Sequence, residues 1–274
     1  MVPTRSQSGF SLVELSIVLV ILGLLTGGIL AGQSLIRAAE LRAVPTEYNR
    51  WITATRTFQD KYFALPGDMT NASGFWGAFD GNDGRNADCR AEQPAIATCN
   101  GNGDGQIEPL NNSVNTYETY LFWKHLENAG LIEGKYTGSP TNFAGNSICA
   151  TTTAYLAGCN MPKSRFDNNG AWLALYRGNL IGDPYLFDGT YNHILMLLAG
   201  TNAPLDPNSP LMRAEELWNI DSKIDDGRPA SGKVVAGRWN ICSTGAANTA
   251  SGANATYALT SSNKNCMPVF REVF

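Results

Sequence analysis

Between Phe10 and Gly32 the chain runs for 23 residues with a single charged side chain, Glu14. No other feature constrains the fold so tightly. At about 1.5 Å per residue, such a run makes a helix of about 34 Å, close to the hydrocarbon thickness of a bilayer. The segment before it, MVPTRSQSG, is short and polar and carries one cation, Arg5. That charge places residues 1–9 in the cytoplasm and the bulk of the 274-residue chain on the other side. A cleavable secretory signal has a shorter apolar core with its small-residue cut site after it. Here the core is longer, and the small residue, Gly9, precedes it.

A carboxylate inside lipid costs at least ~2.5–3.5 kcal/mol on insertion scales, so Glu14 needs a cationic partner. A free α-amine on Phe10 would lie one helical turn away in the same chain, at i and i+4, and the amine of a neighbouring copy would serve equally. The alternative is a glutamate that snorkels to the membrane edge. The glycines Gly23, Gly27, Gly28 and Gly32 form two small-xxx-small pairs, which let helices approach closely in lipid.

The stretch GFSLVEL, residues 9–15, followed by about twenty apolar residues, closely resembles the N-terminus of type IV pilins and type II secretion pseudopilins. The resemblance covers roughly the first thirty residues. It implies a leader peptide, residues 1–9, removed by a prepilin peptidase that cuts between Gly9 and Phe10. Phe10 then becomes the N-methylated first residue, and Glu14 the fifth, where the family keeps its glutamate. It further implies that Glu14 pairs with the Phe10 amine of an adjacent subunit and sets the axial stagger during assembly. The implied partners are other copies of the chain or other pilins, the peptidase and an inner-membrane assembly platform. The implied location is a single-pass inner-membrane precursor, then a periplasmic or cell-surface filament. Many members carry a proline in this part of the helix, whereas this chain has none between Phe10 and Val44.

The helical pattern continues beyond the transmembrane and assembly segment, residues 10–33. Leu41, Val44, Tyr48, Ile52, Thr55, Phe58 and Tyr62 recur at three- and four-residue steps, with Arg37, Glu40, Arg42, Glu47, Arg50, Arg56 and Lys61 largely between them. One stripe therefore faces a core. Pro45 should bend the helix, and the LPGD turn at 65–68 ends it. From Phe10 to Tyr62 the helix would be about 80 Å long.

The remainder, a head spanning residues 34–274, changes character after residue 66. Gly/Asn/Asp loops alternate with a helix over 114–129, strands over 171–177, 191–200 and 233–241, and a helix over 209–227 capped by Ser209 with Pro210 first. The fold class is α+β: a long N-terminal helix, half membrane and half amphipathic, packed on a loop-rich head with an antiparallel sheet, as in pilins. Six cysteines, Cys89, Cys99, Cys149, Cys159, Cys242 and Cys266, follow a segment that exports them, and read as disulfides in an oxidising compartment. Sequence proximity favours Cys89–Cys99, Cys149–Cys159 and Cys242–Cys266. Zinc is the alternative, but no CxxC or Cys/His cluster supports it.

The loop NGNGDGQIE places Asn100, Asn102 and Asp104 at alternating positions, with Gly105 at the sharp turn and Ile107 as apolar anchor, as in a calcium loop. Gln106 and Glu108 complete the candidate ligand set. Asn111 stands where a bidentate Glu is expected, and Glu108 or a more distant acid such as Glu118 would substitute. The preceding loop adds Asp80, Asn82, Asp83 and Asp88. With so few charges the affinity would be weak, on the order of 10⁻⁴–10⁻³ M. The alternative is a tight turn with no ion. Some pilins and pseudopilins bind calcium in their heads, which favours calcium over the bare turn. A rival acidic group, Asp221, Asp225 and Asp226, reads better as a helix end and turn.

A net charge of −4 argues against nucleic acid. His125 and His193 are the only histidines, and no HExxH, GxSxG, P-loop or dinucleotide fingerprint is present. The reading is non-enzymatic: a structural subunit of a pilus-like or pseudopilus filament. Its rival is a minor subunit whose large, calcium-stabilised head acts as an adhesin or partner-binding module. A membrane-anchored hydrolase ranks third.

Overall fold

The computed structural model describes residues 11–79, 95–108, 118–139, 156–199, 210–237, 239–244, 252 and 254–274. In chain order the elements are α1 (Leu12–Tyr62), α2 (Ala72–Trp76), α3 (Glu118–Asn128), β1 (Gly170–Leu180), β2 (Gly189–Ala199), α4 (Ala214–Ile224), β3 (Val234–Gly237), α5 (Trp239–Cys242), β4 (Ser243–Thr244), β5 (Thr256–Tyr257) and β6 (Met267–Arg271). Two compact units are distinguished, one ending at Leu41 and one formed by Arg42–Phe274. The class is α+β.

Helix α1 runs for 51 residues and passes through Pro45 without interruption. In the first unit its apolar side chains, from Leu12 to Ile36, stand exposed. It is long and apolar enough to cross a membrane by length and composition. In the second unit the expected stripe goes into the core: Val44, Ile52, Thr55 and Phe58 are buried, joined by Trp51 and Ala54. Tyr48 is half-buried and stacks on Phe270 with ring centroids 4.4 Å apart. The helix stops at Tyr62 because Phe63 takes a left-handed conformation (φ 53°) and its N–H closes on the Gln59 carbonyl.

One position departs from the amphipathic reading. Glu47 belongs by pattern to the polar face, yet it is buried. Its Oε2 accepts hydrogen bonds from Ser164 Oγ (2.7 Å) and Trp172 Nε1 (2.8 Å), and its Oε1 accepts one from the Arg165 N–H (2.8 Å). Three donors replace the water that the carboxylate gives up, the condition under which a buried acid is tolerated.

The sheet is antiparallel, in the order β1-β2-β6-β3. Strands expected at 171–177 and 191–200 are present as β1 and β2. Ala171, Trp172, Leu173, Ala174 and Leu175 are all fully buried, so both faces of β1 are covered. Its register with β2 shifts between Tyr176 and Asn179. The outward edge of β1 is also occupied: the Trp172 N–H donates to Pro162 O (3.0 Å) and the Tyr176 N–H to Ile107 O (2.7 Å). At the opposite edge the Ala236 N–H donates to Pro229 O (2.8 Å).

Two expected elements are corrected. The strand expected over 233–241 ends at Gly237, which pairs with Met267, the first residue of β6; beyond it β6 offers no partner, and the chain turns into α5. The helix expected over 209–227 begins at Ala214. Leu211 and Met212 are instead held extended by N–H donations to the Cys266 carbonyl, and Arg213 stands at the N-cap, where Glu216 accepts both its backbone N–H (2.8 Å) and its guanidinium (3.3 Å). Ser209 lies outside the described residues. Cys242 and Cys266 form a disulfide across a sequence separation of 24 residues, Cα–Cα 4.9 Å.

Removing the Glu47 carboxylate should leave three buried donors unsatisfied. Glu47→Ala is expected to cost about 3 kcal/mol or more in urea unfolding of the detergent-solubilised chain. Glu40→Ala, which breaks only a partly exposed pair with Arg37, should cost less than about 1 kcal/mol.

Candidate functional site

Two regions gather the functional candidates. The first is the start of α1. Ser11 Oγ accepts the Val13 N–H (3.3 Å), and Glu14 Oε2 accepts the Ser11 N–H (2.9 Å). This is a capping arrangement, and the S-x-x-E spacing of Ser11 and Glu14 was its signal in the sequence. The exposed Glu14 carboxylate therefore points back along the chain, toward the residue that follows Phe10. Gly9 and Phe10 themselves lie outside the described residues. At Gly23, Gly27, Gly28 and Gly32 nothing lies within 4 Å of where a Cβ would stand, so all four open onto free helix surface.

The second region is the loop at 100–108, and it is built around two acids from outside it. Asp68, in the turn after α1, accepts the N–H groups of Gly103 (2.6 Å), Asp104 (3.1 Å) and Gly105 (2.9 Å). Glu118, the first residue of α3, accepts those of Asn102 (2.9 Å) and Glu108 (3.1 Å). Such close wrapping demands small residues. A Cβ on Gly101 would come within 2.4 Å of the Asp68 backbone. His125 on α3 fixes the floor: its Nδ1 accepts the Gly67 N–H (2.9 Å), which leaves Nε2 to donate toward Thr98 Oγ1 and Cys99 O, each 3.1 Å away.

Of the five expected ligands, only Asp104 belongs to a cluster of three acids. Its carboxylate and those of Asp68 and Glu118 have oxygens within 4.8 Å of one another. Asn100 turns its Oδ1 to the Ser73 N–H (2.8 Å). Asn102 Oδ1 accepts the Asp104 N–H (2.9 Å), and its Nδ2 donates to Glu108 Oε2 (3.3 Å). Gln106 donates its N–H to Asp104 Oδ1 (2.8 Å). Asp80, Asn82, Asp83 and Asp88 lie outside the described residues. Asp68 was not among the sequence candidates: nothing near position 68 shows that the chain returns there 35 residues later. The donor set is oxygen throughout, the chemistry that a hard cation such as calcium takes.

The electrostatics follow from burial. Glu118 is wholly buried, and burial pushes its carboxyl up to about 8, against two N–H donors and helped by the charges of Asp68 and Glu108. Asp68 is raised as well, chiefly by burial. A second acid group, Asp221, Asp225 and Asp226, also comes within 4.8 Å. There burial pushes Asp221 up to about 7, while its Oδ2 accepts the Tyr257 hydroxyl (2.7 Å). Both histidines are buried, and burial lowers each to about 4, so they are neutral near pH 7. Cys99 and Cys159 are disulfide-bonded. Cys89 and Cys149, their expected partners, lie outside the described residues.

An acid whose folded pKa is raised favours the fold while it stays protonated. That contribution is complete below its ordinary value near 4.5 and is lost as pH rises through the folded value. In chelator, the melting temperature should therefore fall between about pH 4.5 and about pH 8. The Asp221 part ends near 7, so Glu118→Gln should flatten the curve above pH 7; an unchanged slope there would sink the assignment.

No curated protein and no solved structure matches the chain. Residues 4–30 match the family model described as the prokaryotic N-terminal methylation motif. The exposed apolar α1 and this motif fit a membrane-anchored precursor that a prepilin peptidase processes. The N-terminal segment of the chain thus carries the signature of the type IV pilins and pseudopilins.

Proposed function

We propose that the chain is a structural subunit of a type IV pilus-like or type II secretion pseudopilus filament, cut between Gly9 and Phe10 and assembled through α1. The observation that carries this is the methylation motif at 4–30, whose residues from Leu12 onward lie on a helix with its apolar side chains exposed in the single chain. Side chains such as Ile17, Leu24 and Ile29 require lipid before assembly and neighbouring helices after it. The open glycine positions allow those helices to approach closely. Glu14, whose carboxylate already reaches back to Ser11, meets the new amine of Phe10 on an adjacent copy.

In this reading the Asp68, Asp104 and Glu118 cluster holds calcium and so stabilises the head outside the cell. The second reading, a minor subunit with an adhesive or partner-binding head, draws support from the size of the unit Arg42–Phe274. Abundance separates the two, since a major subunit dominates sheared filaments.

Mass spectrometry of purified filaments should find an N-methylated Phe10 at the N-terminus; a filament subunit that retains Met1 refutes the processing. Glu14→Ala should leave the protein in the membrane but lower its incorporation into filaments at least about tenfold, an outcome read by shearing and blotting. Calcium added at pH 7.5 should raise the melting temperature, and chelator should reverse it. Glu118→Gln should weaken that response, and an unresponsive wild-type head removes calcium from the reading.

A further inference from the structure

We infer that the groove between α4, the turn at 227–231 and β5 is a binding site for a neutral saccharide. Its volume is about 580 Å³, within the range of small-molecule sites. Two large apolar side chains line it while remaining open to solvent, Trp218 (40% exposed) and Leu259 (49%). Trp51, Trp123 and Trp172 are buried and Trp76 is partly so, which leaves Trp218 the most open indole among the tryptophans whose burial is described. The indole borders the turn: its Nε1 lies 3.5 Å from where a Cβ on Gly227 would stand. An exposed indole and a leucine lining one groove suit the C–H face of a pyranose ring. Arg228, Ser231, Asn254 and the Tyr257 region supply polar groups around it for ring hydroxyls.

Charge narrows the ligand class. Arg228 is the single cation among the lining residues, and the Asp221, Asp225 and Asp226 carboxylates stand behind the same turn. The local field disfavours phosphates, acidic glycans and nucleic acid. These carboxylates are engaged by donors of the head itself. Asp226 accepts the Arg228 N–H (2.9 Å) and the Ser231 hydroxyl (2.6 Å). Asp225 Oδ2 accepts the Lys233 and Val234 N–H groups. Asp221 accepts the Gly227 N–H (3.3 Å) and the Tyr257 hydroxyl (2.7 Å). The acids thus hold two walls of the groove in place and leave its opening to the indole and the neutral polar groups. Such preorganisation lowers the cost of binding a flexible, hydroxyl-rich ligand.

The site belongs to the head and does not depend on polymerisation. The full chain, in an amine-oxide detergent that carries no sugar headgroup, is mixed with glucose, galactose, N-acetylglucosamine and maltose and examined by saturation-transfer NMR. Transfer to the ring C–H protons of at least one sugar is expected, with Trp218→Ala weakening it at least about tenfold while the chain stays folded. Should Trp218→Ala unfold, Arg228→Ala on the exposed turn and Leu259→Ala serve in its place, and each should weaken binding. Three results overturn the inference: no transfer to any of the four sugars, transfer that survives these substitutions, or binding of a lysine-rich peptide in place of sugar. Filament incorporation of the same variants should be normal, so failure here is distinct from failure of the subunit reading.

Discussion

The fold of the head depends on one buried carboxylate. Glu47 sits on α1 amid apolar neighbours and meets donors that lie 117, 118 and 125 residues further along the chain. An apolar stripe by itself specifies which face of a helix turns inward, but a slide by one turn still brings apolar groups to apolar groups. A carboxylate that must find a hydroxyl, an indole and a backbone N–H together permits one axial position and one rotation. Tyr48 on Phe270 and Trp51 against Trp123 follow from that placement, with ring centroids 4.4 and 5.3 Å apart. The helix is thereby fixed in register on the sheet that it covers.

How much of this was legible in the sequence divides along the range of the interactions. The long helix, its stripe and the first two strands, β1 and β2, follow from periodicity within a few turns of chain, and they stand where the pattern puts them. Glu47 reads as an ordinary surface acid because its partners are remote. The strand at 233–241 fails at Gly237 for the same reason: its length is set by where β6 begins, 30 residues on. Arg213 displaced Ser209 and Pro210 as the helix start because Leu211 and Met212 are claimed by the Cys266 carbonyl, a contact that no local signal announces.

The candidate calcium loop shows the same division. Its Gly/Asn/Asp spacing was readable, and Asp104 does join other acids. What the spacing hid is that the loop's own amides face inward, toward Asp68 and Glu118, so the loop is folded by acids that it receives rather than by ligands that it supplies. At the N-terminus the reverse holds. The S-x-x-E spacing of Ser11 and Glu14 is a local signal for the capping arrangement, although the sequence reading did not use it, and the methylation motif at 4–30 agrees with a reading made from residues 9–15 and the apolar run behind them.

The covered edges of the sheet bear on how such a chain is kept from the wrong kind of association. Molecules crowded side by side in a membrane hold their heads at high local concentration, and an open strand edge would invite each sheet to extend into the next. Here Pro162 and Ile107 take the outward N–H groups of Trp172 and Tyr176 on β1, and Pro229 takes that of Ala236 on β3. Ile107 belongs to the same loop that wraps Asp68 and Glu118. Whatever orders that loop also closes the sheet, and in the proposed filament leaves the helix as the surface for association.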